Sequence, residues 1–378
     1  MSRMVSLLSC CAALVALVGS FGGSSVSAAE QWSAEKANEW YDELPWMVGC
    51  NYAPATAINQ LEMWQADTFD PETIDIELGW ASDIGFNTVR VFLHDVAWKE
   101  DPDGFFKRVD KFLEIADRHG IRSMVVIFDG VWDPDSQAGP QRRPRPGVHN
   151  SGWLQSPGRY ILSNDERQDA LEPYVKAVVK RYANDKRVLI WDLFNEPCNT
   201  NASSYGPLEL PNKDERAERL VRKTFAWARE VGPSQPLTVG FWQGGPWDDS
   251  EKLNLTHTAA AELSDVITFH DYGDEDSLRG RIDALKTYGR PIMCTEYMAR
   301  GNGSTFRMAL PIMKSENVGA YNWGLVAGKT QTNYPWQTWQ MPIMGEPKPW
   351  HHEVFYSDGK PYSQEEVELI KQLTERGK

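Results

Sequence analysis

The chain has 378 residues, 41% of them hydrophobic, a length that suits one large barrel domain. Acidic residues outnumber basic ones by 53 to 39, and the net charge of −14 argues against a nucleic-acid partner, because phosphate binding needs a basic face. The single basic cluster, Arg142, Arg143 and Arg145, is interrupted by prolines and reads as a solvated loop.

The chain opens with Arg3, an apolar stretch from Val5 to Val18, and the small residues Ser27, Ala28 and Ala29. This order reads as a secretory signal peptide over residues 1–29, followed by one domain over 30–378. The apolar part is short for a membrane span, and no later run matches it. The expectation is an exported protein, extracellular or periplasmic, with no membrane partner after the leader is removed. Two of the five cysteines, Cys10 and Cys11, leave with that leader. Cys50, Cys198 and Cys294 remain, without C-x-x-C spacing, which argues against a disulfide scaffold or a zinc site.

Eight strand-like runs follow: 46–52, 87–93, 123–129, 188–195, 237–242, 265–272, 291–297 and 318–324. Several are continuously apolar, as strands covered on both faces are. Helical segments lie between them. Asp70-Pro71 pairs a cap residue with a proline at the first helical position. Phe105, Val109, Phe112, Leu113 and Ala116 share one face before Gly120 ends that helix. Segments 165–182, 214–231, 276–288, 304–316 and 365–376 complete the helices. Eight strands alternating with helices predict an α/β fold, a single-domain (β/α)8 TIM barrel. Residues 130–163 and 325–350 are too long for ordinary connections and read as extensions of the third and eighth loops on the active face. Eight of the sixteen tryptophans (Trp98, Trp132, Trp153, Trp242, Trp247, Trp323, Trp336, Trp339) fall in predicted loops or strand ends. Flat aromatic faces there suit sugars or protein partners.

In such a barrel the C-terminal strand ends converge on one face. Here they carry Asn51 and Tyr52, then Arg90, His94 and Asp95, then Asp129, then Asn195 and Glu196. The remaining strands carry Trp242 and Gln243, then His270, Asp271 and Tyr272, then Glu296 and Tyr297, then Asn322 and Trp323. Glu196 and Glu296, at strands four and seven, stand on opposite sides of the eight-membered ring and face each other across the mouth. Two carboxylates across a cleft are the arrangement of a glycosidase, retaining at a gap of about 5–5.5 Å and inverting at a wider one.

The motifs "FNEP", "FHDY", "CTEY" and "NWG" after strands four, six, seven and eight resemble the retaining (β/α)8 glycoside hydrolases of clan A, closest to the cellulase-like family 5. The resemblance runs from about Trp46 to Trp339. It implies Glu196 as acid/base and Glu296 as nucleophile. It also implies Asn195 on the sugar 2-hydroxyl, Tyr272 bonded to Glu296, Arg90 beneath Glu296, His270 on the acid/base side, and Trp323 as the floor where the bond breaks. Asn51, His94 and Trp242 complete the expected substrate-binding set. The third strand departs from the pattern, since "VVIFDG" offers Phe128 and Asp129 where a histidine often stands. His94 or His149 is the expected replacement.

The function expected is double-displacement hydrolysis of O-glycosidic bonds in a polysaccharide or oligosaccharide of β-glucan, xylan or mannan type. The alternative is a non-catalytic carbohydrate-binding barrel. No cofactor and no metal are expected, there being no H-E-x-x-H. A monomer is expected. Glu196 must begin protonated and Glu296 ionised, with Arg90 lowering the second and the Glu296 charge raising the first.

Overall fold

The computed structural model describes residues 30–375, and the expected signal peptide lies outside them. The strands are β1 (Val48–Asn51), β2 (Thr88–Phe92), β3 (Arg122–Val126), β4 (Val188–Asp192), β5 (Leu237–Thr238), β6 (Ile267–His270), β7 (Ile292–Tyr297) and β8 (Gly319–Trp323). They are all parallel and run in the order β5-β4-β3-β2-β1-β8-β7-β6. The remaining seam, between β5 and β6, is closed by backbone bonds from Asp265 N to Leu237 O (2.8 Å), Phe241 N to Thr268 O (2.9 Å) and His270 N to Phe241 O (2.8 Å). The predicted (β/α)8 barrel is therefore the fold.

The helices are α1 (Ala34–Asp42), α2 (Gln60–Trp64), α3 (Pro71–Asp83), α4 (Asp95–Glu100), α5 (Pro102–Arg118), α6 (Arg159–Leu162), α7 (Asp165–Asp169), α8 (Glu172–Tyr182), α9 (Lys213–Val231), α10 (Leu255–Leu263), α11 (Glu275–Lys286), α12 (Phe306–Ser315) and α13 (Gln364–Leu373). Local chemistry accounts for their ends. Asp70 accepts the Thr73 amide at 3.0 Å to start α3, with Pro71 in the first turn where no amide partner is needed. The single helix predicted over 165–182 is two, because Pro173 cannot continue a helix through it but is at ease in the first turn of α8. The fifth strand is shorter than predicted. Its ladder with β4 stops at Thr238, and the chain rejoins the sheet only through Phe241.

Helix α1, which the periodicity did not reveal, seals the barrel's lower end. Its Ala37 and Tyr41 pack with Met47, Met124, Ile190, Met293 and Tyr321, which fill the lower interior. Burial of this apolar plug leaves the upper end free to carry polar groups. There the third and eighth loops join. Asn150 N bonds Thr330 O (2.8 Å) and Ile343 N bonds Gly147 O (3.1 Å), so one long loop braces the other. Among the described residues no helix is long and apolar enough to cross a membrane.

Candidate active site

Arg90 organises the upper interior. Its side chain points inward from β2 and is 1% exposed. All five guanidinium N–H groups are used. Nε and Nη2 donate to Asp192 Oδ2 (3.0 and 2.8 Å), Nη1 to Asn51 Oδ1 (2.8 Å) and Glu296 Oε1 (2.9 Å), and Nη2 also to Asn195 Oδ1 (2.7 Å). One rigid fork therefore fixes residues from β1, β4 and β7. Asn195 is held from its other end by Asp129, which accepts its amide N–H at 2.9 Å. Asp129 is itself fixed by Trp153 Nε1 (2.6 Å), Gln60 Nε2 (3.0 Å) and the Val131 amide (3.0 Å).

The two glutamates meet different partners. Glu296 receives Arg90 on Oε1 and the Tyr272 hydroxyl on Oε2 (2.8 Å). Glu196 meets His270 Nδ1 at 2.8 Å on Oε1 and receives Asn199 Nδ2 at 2.6 Å on Oε2. One oxygen of each carboxylate and a ring nitrogen of His270 lie within 4.8 Å of one another. Such a trio has the reach to hold a metal ion, but here both Glu296 oxygens are already engaged and the buried Arg90 cation beside them opposes a second positive charge. The Glu196 backbone is in the left-handed region, with φ 41°, an unusual conformation for a non-glycine residue and a local strain. The β3 end presses against it. A Cβ on Gly130 would lie 2.2 Å from the Glu196 carbonyl oxygen, so only glycine fits there.

Burial pushes the Glu196 carboxyl up to about 7, against the opposing pull of Asn199, Arg90 and Lys213. Burial, rather than the Glu296 charge expected from the sequence, is the main cause. Burial also raises Glu296, and together with the nearby Glu196 it outweighs the downward pull of Arg90, which acts as expected, and of the Tyr272 hydroxyl. His270 is pushed down to about 4 by burial and is neutral near pH 7. A neutral imidazole nitrogen accepts from a protonated Glu196 or donates to an ionised one, so this contact survives either state.

These groups open into a cavity of about 700 Å³, within the ordinary size range of small-molecule sites. Asn195, His270, Tyr272, Trp242 and Trp323 line it together with both glutamates. Arg90 and Asn51 lie beneath it and hold other residues rather than facing the space. Asn51 receives Arg90 and donates to Thr295 O (2.7 Å). His94 is a correction. It is fully buried, its Nδ1 accepts the Val96 amide (3.2 Å) to cap α4, and it does not line the cleft. The chain turns into α4 directly after β2, carrying His94 away. His149 lines the cavity instead, delivered by the third loop. Phe128 faces outward against Tyr174 and Phe194, leaving Asp129 as the inward residue. Trp132 and Trp336 also line the cavity, whereas Trp153 and Trp247 are buried packing residues.

Asp192, Asn199 and Lys213 were not singled out from the sequence. A signal existed for Asp192, an acid two residues beyond the inward Ile190 in an otherwise apolar strand. Buried Lys213 donates to Asn199 O and to Gly130 O (2.9 Å), tying the Asn199 segment to the β3 end. No pattern in the sequence announces that contact.

A family model described as Cellulase (glycosyl hydrolase family 5) matches residues 55–340. Among curated proteins, mannan endo-1,4-beta-mannosidase A of Emericella nidulans is 26% identical over 207 residues, covering 52% of this chain and 49% of that protein. A probable mannan endo-1,4-beta-mannosidase A of Aspergillus oryzae is 31% identical over 211 residues, covering 52% and 50%. The chain spans about half the length of the curated relatives it matches. Among solved structures, an exo-beta-1,4-mannosidase from Opitutaceae bacterium strain TAV5 superposes with a TM-score of 0.57 at 18% identity, over 87% of this chain and 60% of that one. The endo-beta-1,4-mannanase from Thermotoga petrophila gives 0.55 at 14%, over 87% and 76%. At such identities these likenesses show the barrel fold alone. The family match extends over well more than half of the residues, from the loop after β1 to the loop after β8, and this chain belongs to glycosyl hydrolase family 5.

Proposed function

We propose that the protein is an exported, monomeric, retaining β-glycoside hydrolase acting on a polysaccharide or oligosaccharide. Of the β-glucan, xylan and mannan types, the names of its relatives support a β-mannan type. The observation that carries the reading is the unlike pair of carboxyls. One is largely desolvated beside a neutral histidine with its pKa raised to about 7, and the other is bonded to an arginine and a tyrosine, with oxygens of the two within 4.8 Å. A barrel that only bound sugar has no use for a proton donor facing an arginine-held carboxylate.

In the first step a Glu296 oxygen attacks the anomeric carbon while Glu196 gives its proton to the departing glycosidic oxygen. The C–O bond to the leaving sugar breaks and a glycosyl ester forms. In the second step Glu196, now ionised, takes a proton from water, the water oxygen attacks the same carbon from the opposite face, and Glu296 is released. Two inversions leave the configuration retained. Arg90 and Tyr272 receive the negative charge when it returns to Glu296, and Asn195 has one amide N–H free for the sugar 2-hydroxyl. The test is hydrolysis of 4-nitrophenyl β-mannoside, β-glucoside and β-xyloside beside a panel of polysaccharides, with the product anomer read by NMR. The expected result is a β-anomer formed first. Release of the α-anomer, or no hydrolysis of any substrate, would defeat the reading.

A further inference from the structure

The two sides of the carboxyl pair are built differently, and the mechanism gives each side a meaning. If Glu296 holds the anomeric carbon, the sugar being transferred lies on its side, and the departing part of the substrate lies on the side of Glu196. On the Glu196 side the cavity runs out past Asn199 to Thr200 and Ala202, and past Trp242 to Gln243. Thr200, Ala202 and Gln243 are exposed, so this end is open.

The Glu296 side is walled by aromatic rings over most of its extent, with exposed Asn302 of the seventh loop at its rim. Tyr272, bonded to Glu296, is backed by the edge of Trp336 (ring centroids 5.0 Å apart) and by His352 (5.5 Å). Trp336 packs in turn on His351 (4.4 Å) and His149 (6.1 Å). Trp323 leans on Phe92 (5.6 Å) and Trp153 (5.9 Å), both buried. Behind these rings three loops are stitched together by backbone and side-chain hydrogen bonds. The third and eighth are joined at Asn150–Thr330 and Ile343–Gly147, and by His149, whose amide donates to Thr338 Oγ1 (2.9 Å). The eighth meets the first where Lys329 N bonds Ala55 O (3.0 Å), and the first meets the third where Asn59 Nδ2 bonds Gly152 O (2.9 Å). The contacts are as close as backbones allow. A Cβ on Gly147 would lie 2.0 Å from Ile343 O, and one on Gly328 would lie 2.4 Å from Ala55. Asn150, Thr332 and His149 are buried, so the wall is part of the packed molecule rather than a surface flap.

We propose that this wall, closed at Trp336 and His352, leaves room for a single sugar beyond the bond to be broken, so that the protein removes one sugar at a time from the non-reducing end of its substrate. The inference rests on the hydrolase reading above and on its assignment of Glu296 as nucleophile. A polymer threaded past Glu296 would have to displace the stitched loops, whereas its remainder leaves freely over Thr200 and Gln243.

The test uses the full-length protein with β-1,4-mannohexaose and cellohexaose, each tagged at the reducing end with 2-aminobenzamide, alongside the 4-nitrophenyl β-mannoside and β-glucoside. The expected first products are tagged pentaose and free monosaccharide, followed by tagged tetraose. Early tagged disaccharide or trisaccharide would mean internal cleavage and overturn the proposal. Cleavage of an aryl glycoside but of neither hexaose would overturn it too, while leaving the hydrolase reading in place. No cleavage of anything would remove the hydrolase reading and the proposal with it. Trp336→Gly is then expected to bring tagged tetraose and free disaccharide into the first products. Single-sugar release unchanged in that variant would overturn the assignment of the wall to Trp336.

Discussion

Arg90 holds four buried side chains, Asn51, Asp192, Asn195 and Glu296, so its loss reaches every part of the carboxyl site. In Arg90→Met the side chain keeps much of its volume and loses all five N–H donors. Asp192 and Glu296 are then two buried carboxylates without their cation, and Asn51 and Asn195 lose the donor on their side-chain oxygens. Breaking a buried ion pair from one side costs about 3–5 kcal/mol. Each orphaned amide oxygen adds about 1 kcal/mol or more. The expected loss is therefore roughly 5–7 kcal/mol at neutral pH, read as a lower urea midpoint at constant slope. The pH dependence has a definite sign. Arg90 pulls the Glu296 pKa downward, so its removal lets that pKa rise further. A raised carboxyl pKa in the folded state means that protonation relieves the buried charge, so the variant's deficit should shrink as pH falls. In activity, the acidic limb of the profile, where Glu296 gains its proton, should move to higher pH. A urea midpoint within experimental error of the parent, or an acidic limb moving to lower pH, would refute the reasoning.

Three further outcomes are expected. In Glu196→Ala, a dinitrophenyl glycoside should still form the glycosyl-enzyme, and added azide should restore turnover to a glycosyl azide of retained configuration; in Glu296→Ala azide should give the inverted one, and NMR of the product anomer decides whether the roles stand or are exchanged. Because the acid form of Glu196 is needed and its pKa is about 7, kcat/KM on a substrate with a poor leaving group should fall about tenfold per pH unit above that value, and the fall should fade with a dinitrophenyl leaving group. Gly130→Ala would set a methyl 2.2 Å from the Glu196 carbonyl, a backbone atom that cannot swing aside, so a loss of about 2–3 kcal/mol in stability and a larger drop in kcat than in substrate binding are expected; denaturation and steady-state kinetics measure both.

Much of the site could be read from the sequence because barrel geometry ties strand ends to one place. Asn195, Glu196, His270, Tyr272, Glu296 and Trp323 each stand at or just beyond a strand end, and the closed sheet gathers them. The same rule misplaced His94. A residue two beyond β2 continues the inward alternation only while the strand continues, and here a helix begins at Asp95. The rule was silent on Asn199, which reaches Glu196 from the loop three residues on, and on Lys213, which reaches Gly130 from a helix 83 residues away. It was silent also on the joining of the third and eighth loops. Their length was visible, but their mutual hydrogen bonds depend on two segments roughly 180 residues apart.

The sequence by itself determined the barrel, since alternating apolar strands and capped amphipathic helices leave few other ways to bury both faces of a parallel sheet. It also determined which two carboxylates would face each other, because position in that sheet fixes direction. The tertiary structure alone decided that desolvation raises both carboxyls and outweighs the arginine's pull on Glu296. It alone decided that one end of the cleft is walled by the joined third and eighth loops. Desolvation and loop packing are sums over neighbours brought together from the whole chain, and no local stretch of residues contains them.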